Sequence, residues 1–106
     1  MTNTKIEQAV QAMLNNSSNI TEVTSKEEGS FMFTYDGKYR WSMFPIGSDL
    51  ILAYLPMEPD AKAIPFDSSE GSSHRERLFK ELYQTLFEKN AGIGDVLDDI
   101  INNIPF

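Results

Sequence analysis

Residues 30–44 constrain the fold more than any other stretch of this chain. Phe31, Phe33, Tyr39, Trp41 and Met43 alternate with Ser30, Met32, Thr34, Lys38, Arg40 and Ser42 on either side of Asp36-Gly37. Successive residues of a strand point to opposite faces, and an Asp-Gly step between two alternating runs is a strong hairpin signal. A two-residue loop would pair Phe33 with Arg40 and Met32 with Trp41, mixing cations and aromatics on each face. A three-residue loop closed by Gly37 in the left-handed region keeps the aromatics together. The pairs expected from it are Phe33 with Tyr39 and Phe31 with Trp41, and the face they form is the one that helices should cover, with Trp41 in the core.

The flanking segments extend this hairpin into an α+β domain. Thr4-Lys5-Ile6-Glu7 reads as a capping box, and Ile6, Ala9, Val10, Met13 and Leu14 follow at helical spacing until Asn15-Asn16-Ser17-Ser18. Residues 19–26 form a weak strand with few apolar positions, as expected of an edge. Asp49 to Leu55 is a strand with apolar residues on both faces, which predicts cover on both sides. Residues 56–72 contain Pro56, Pro59 and Pro65 and then Ser68-Ser69-Glu70-Gly71-Ser72, and read as a long irregular loop. Within it residues 61–66 are a candidate edge strand, and Ser68 to Ser72, with no apolar anchor, are expected to be the most mobile part. Ser73-His74-Arg75-Glu76 is a second capping box, followed by the stripe Leu78, Phe79, Leu82, Tyr83, Leu86 and Phe87. A third, short helix is expected from Asp95, with Val96, Leu97, Ile100, Ile101 and Ile104 on one side and Ile93 just ahead. The expected architecture is therefore an N-terminal helix, an antiparallel meander of three to four strands, and one or two C-terminal helices packed on the sheet, in a single domain over 1–106.

This order of elements resembles, in architecture and over roughly the first half of the chain, the small acidic chaperones of type III secretion. The second half lacks the further strand pair that such chaperones carry before their last helix. The resemblance rests on no shared motif, so it implies an architecture and not an activity.

Charge and composition narrow the function classes. The 106 residues carry 16 acids against 9 Lys and Arg, a net charge of −7, and no cysteine. Disulfides, thiolate metal sites and cysteine nucleophiles are excluded. The negative field repels phosphate backbones and anionic lipid, so no nucleic-acid or membrane partner is expected. The first residues lack the basic start and apolar run of a signal peptide, and no stretch reaches the roughly 20 apolar residues of a membrane span, which makes the cytoplasm the expected location.

No catalytic constellation is legible. His74 is the only histidine, and no Gly-x-Ser-x-Gly elbow accompanies it. Ser73, His74 and Arg75 at a helix start are candidate anion ligands, but Gly71 alone is no phosphate loop and no Gly-Lys-Ser/Thr follows. Asp95, Asp98 and Asp99 lack the alternating ligands and terminal glutamate of a calcium loop, and suit a helix start instead. No cofactor or metal is expected. The expectation that remains is a non-catalytic protein–protein interaction domain: an adaptor, a chaperone-like protein or an inhibitor of a basic partner. Its interaction or dimer surface is Val96, Leu97, Ile100, Ile101 and Ile104, and the partner is a protein or a second copy in a homodimer. The alternative is a small-ligand-binding domain or minor enzyme with a pocket between the sheet and the 56–72 loop.

Overall fold

A computed structural model of the chain describes residues 4–27, 29–71 and 73–102, apart from the side chains of Thr4, of residues 93–96 and of Asp98. Helix α1 spans Thr4–Asn15 and ends in a short 3₁₀ turn over Ser17–Asn19. Strands β1 (Ile20–Ser25), β2 (Phe31–Tyr35), β3 (Tyr39–Ile46), β4 (Asp49–Leu55) and β5 (Ile64–Asp67) follow. A second 3₁₀ turn, Ser68–Glu70, leads into α2 (Ser73–Ala91) and α3 (Ile93–Asn102). The strands form one antiparallel sheet in the order β1-β2-β3-β4-β5. The class is α+β, with five strands rather than three to four. The fifth is the edge piece inside the 56–72 segment, where Pro65 is tolerated because an edge strand need not donate on both sides.

The β2–β3 hairpin closes with a three-residue loop, and Lys38 N donates to Tyr35 O. Asp36 and Gly37 have φ of 57° and 71°. Two successive positive φ values are the signature of a type I′ turn, whose twist matches that of the strands it joins. The register differs from the sequence expectation by two residues. Tyr35 opposes Tyr39, Phe33 opposes Trp41 and Phe31 opposes Met43. A loop of residues 36–38 makes Tyr35 and Tyr39 the first opposed pair, and the others follow outward. A slip of two preserves every side chain's face, so the aromatic grouping holds although the partners change.

That face forms the core. From β1 to β4 it presents Ile20, Phe31, Phe33, Met43 and Leu52, all buried. Leu78, Phe79, Leu82 and Leu86 of α2 and Ile6, Val10 and Met13 of α1 bury against it. Burying each such side chain is worth about 1.5–3 kcal/mol. Tyr83 fixes where α2 lies: its hydroxyl donates to Gly29 O at 2.6 Å and its ring meets Phe31 at 5.5 Å between centroids. The opposite face of the sheet carries neither α1 nor α2. Ile51 and Ala53 are buried there, Ile51 between Phe44 and Asp67 and Ala53 between Ser42 and Pro65, while the core side of β4 packs under α2.

The third helix departs from expectation. It begins at Ile93, just after Gly92, rather than at Asp95. Among the described residues its main neighbour is α2. The molecule is accordingly elongated, 56 × 33 × 25 Å, with a Cα radius of gyration of 15.1 Å; a compact chain of this length would have about 13 Å.

The layer arrangement predicts a gradient of cost along the aromatic face. Phe33→Ala empties a fully enclosed site and is expected to cost about 3–5 kcal/mol in urea denaturation. Tyr39→Ala, on the same face but 43 % exposed, is expected to cost under about 1 kcal/mol.

Candidate functional site

Among the described residues, two places group exposed apolar side chains: the uncovered end of the aromatic face, and α3. The helices cover the core face only in part. At the end of the sheet where β3 starts and β4 finishes, Tyr39, Trp41, Tyr54, Ile64 and Phe66 line an open hollow of about 260 Å³. The register explains the grouping: Trp41 opposes Tyr54, and Tyr54 opposes Ile64, so three adjacent strands place these side chains on one face. Trp41 and Tyr54 meet edge to face at 5.0 Å between centroids. Trp41 is thus half-buried at the rim of the core rather than within it. Its indole Nε1 is enclosed and has no hydrogen-bond partner, an uncommon state for a buried donor. Lys38 Nζ stands 5.3 Å from the Tyr39 ring at the mouth.

The expected anion ligands are not gathered into one site. Ser73 and His74 are exposed, whereas Arg75 is buried. Arg75 turns inward, its Nε 3.5 Å from Glu7 Oε2 and its Nη1 donating to Asp67 O. A buried guanidinium is stable only when its charge and its donors are matched, and this one is spent joining α2 to α1 and β5. Gly71 permits it: a Cβ there would collide with the Arg75 side chain. The glycine is a matter of close packing, not of a phosphate loop. His74 Nδ1 accepts from Arg77 Nη2 at 3.0 Å on the surface, remote from any nucleophile–base arrangement.

Of the Ser68 to Ser72 segment expected to be mobile, Ser68 and Ser69 are anchored by hydrogen bonds and Ser72 lies outside the described residues. Ser68 is buried, and its Oγ accepts from Leu50 N at 2.9 Å. Asp67 Oδ1 accepts from both the backbone N and the Oγ of Ser69 at 2.8 Å. These two bonds hold the Asp67 carboxyl below its ordinary pKa, with Arg75 adding to the effect. Hydroxyls here do what apolar anchors do elsewhere: they satisfy the start of β4 and turn the chain into α2.

On α3, Leu97, Ile100 and Ile101 are 50 %, 61 % and 63 % exposed. Ile104 lies outside the described residues, as does the Val96 side chain. Among the described residues no cluster of three or more His, Asp and Glu side chains is placed to hold a metal, and no helix is long and apolar enough to cross a membrane. The exposure of the stripe was beyond sequence reasoning, because helical spacing identifies an apolar face without saying whether anything covers it.

Comparison with family models, with curated proteins and with solved structures finds no match to this chain. The architectural resemblance to type III secretion chaperones gains no support from these comparisons.

The Arg75 arrangement is testable. Arg75→Ala should cost about 3–5 kcal/mol in urea denaturation, because it removes the guanidinium that pairs with the buried Glu7 carboxylate. Gly71→Ala should also destabilise by displacing the Arg75 side chain, and less so when combined with Arg75→Ala.

Proposed function

We propose that this protein is a non-catalytic protein–protein interaction domain of the cytoplasm, an adaptor, a chaperone-like protein or an inhibitor of a basic partner, with α3 as its docking element. The observation that carries this reading is the exposure of Leu97, Ile100 and Ile101 on one side of a ten-residue helix. A helix of that length is marginal in water without tertiary cover. Three large aliphatic side chains left in solvent on one stripe mark a surface that another molecule covers. The core beneath α1 and α2 is complete without them. Deleting residues 93–106 is therefore expected to leave a folded, monomeric protein by circular dichroism and sedimentation, with a urea midpoint close to that of the full chain. Unfolding of the truncated protein would make α3 part of the core and would remove this reading.

A second reading has its own support. The hollow at Tyr39, Trp41, Tyr54, Ile64 and Phe66 lies on one face of the sheet, with Ile64 and Phe66 contributed by β5, and the enclosed Trp41 N–H lacks an acceptor. An apolar wall with one polar group fits a small planar ligand that carries a hydrogen-bond acceptor. Trp41 is the only tryptophan, so its fluorescence reports on the hollow. Titration with small aromatic carboxylates and amides should shift its emission saturably, and Tyr54→Ala should abolish the shift. Absence of any saturable change across such a set would dismiss this second reading.

A further inference from the structure

Resting on the second reading above, which places a planar ligand in the hollow at Trp41 and Tyr54, we infer that this ligand is a small aromatic monocarboxylate, its ring in the hollow and its carboxylate at Lys38. The walls select the ring. Tyr39, Trp41, Tyr54 and Phe66 line the hollow with Ile64. Aromatic side chains favour edge-to-face and offset arrangements, as Trp41 and Tyr54 show at 5.0 Å, and a ligand ring extends the set. The hollow measures about 260 Å³. A dry apolar cavity of about 150 Å³ admits benzene, so there is room for one ring with a short side chain.

Lys38 selects the charge. Its Nζ lies 5.3 Å from the Tyr39 ring, and among the described residues it makes no ion pair. None of the five lining side chains is charged at neutral pH, so the charge set against the hollow is a single positive one. One ammonium matches one carboxylate. Arg40, next in sequence to two lining residues, lies on the opposite face of the sheet by parity and adds no second cation for a phosphate. At physiological salt the net charge of −7 is screened beyond about 8 Å, whereas Lys38 acts at contact distance. Trp41 Nε1 is the second donor, enclosed and without an acceptor among the described residues. A carboxylate brings two oxygens, one for Lys38 and one for the indole as Trp41 gives way to the incoming ring. The second bond offsets the cost of a donor otherwise left unsatisfied.

The same features disfavour other occupants. Aromatic hollows also take cations, but a cationic ligand here would meet the Lys38 ammonium and find no carboxylate in the lining. A peptide adding to β5 would find a poor ladder. Leu50 N points to the β5 side, where it donates to Ser68 Oγ, so by alternation Ala53 directs its backbone groups at β3. Pro65, opposite Ala53, therefore turns to the open edge, where it has no N–H to give, and Asp67 O already accepts from Arg75 Nη1.

The test uses isotope-labelled full-length protein at neutral pH, followed by nitrogen–proton NMR. Trp41 is the only tryptophan, so one indole N–H signal reports on the hollow. The probes are trans-cinnamate, trans-cinnamamide, which keeps the ring and the carbonyl acceptor without the charge, and phenyltrimethylammonium. Cinnamate should shift the indole signal saturably and bind about fivefold more tightly than cinnamamide, the reach of a solvent-exposed ion pair. Lys38→Gln should bring cinnamate down to the cinnamamide level and leave cinnamamide unchanged, while Lys38→Arg should retain the preference. Lys38 is exposed, so neither variant should alter the circular dichroism spectrum.

Equal affinities for cinnamate and cinnamamide, unmoved by Lys38→Gln, would overturn the carboxylate and leave the hollow as a ligand site. Tighter binding of phenyltrimethylammonium would make the hollow a cation cage and overturn the inference. A cinnamate shift that survives Tyr54→Ala would place the ligand elsewhere and overturn it too. Failure of all three probes to move the indole signal would count against both the inference and the reading beneath it.

Discussion

The fold depends on a single apolar layer between α2 and one face of a five-stranded meander. An antiparallel sheet with one apolar face must cover that face or aggregate through it. Leu78, Phe79, Leu82 and Leu86 of α2 cover Phe31, Phe33, Met43 and Leu52, and α1 fills the remaining space with Ile6, Val10 and Met13. Two helices suffice for most of a sheet of this size. The consequences are geometric: a third helix has no place in the layer, and the end of the aromatic face near Trp41 and Tyr54 stays open.

The layer is aligned by polar groups at its margin. Glu7 of α1 and Arg75 of α2 pair at 3.5 Å in a buried position, and Arg75 also donates to Asp67 O at the end of β5. Tyr83 donates to Gly29 O across the layer from the other side. Apolar packing is tolerant of small slides, whereas a buried guanidinium and a half-buried, hydrogen-bonded phenol accept few positions. These bonds fix the angle at which α2 crosses the strands. They also absorb Arg75, the arginine among the expected anion ligands.

The sequence was most informative where local chemistry and period agreed. The alternation around Asp36-Gly37, the apolar spacing of α1 and α2 and the edge character of β1 are all present as read. The pairing partners of Phe31 and Phe33 were displaced by two residues, because parity specifies the face and only the loop closure specifies the register. Ser68 looked unanchored because its anchor, Leu50 N, is 18 residues away. Arg75 looked like part of an anion site with Ser73 and His74 because these residue types suit one, while the buried Glu7 that claims Arg75 lies in a different helix. The stripe of α3 was visible in the sequence, but its exposure depends on how much sheet α1 and α2 leave uncovered.

The two open apolar surfaces differ in what binding to them would require. Trp41, Tyr54 and Ile64 sit on three paired strands, so the hollow is already formed and a ligand loses only its own freedom there. The stripe of α3 belongs to a short helix that, among the described residues, has α2 as its main neighbour. Part of the energy of covering Leu97, Ile100 and Ile101 would go into holding that helix in place. Such a surface favours partners that bring many contacts at once, as a second helix does, over a small molecule that brings few.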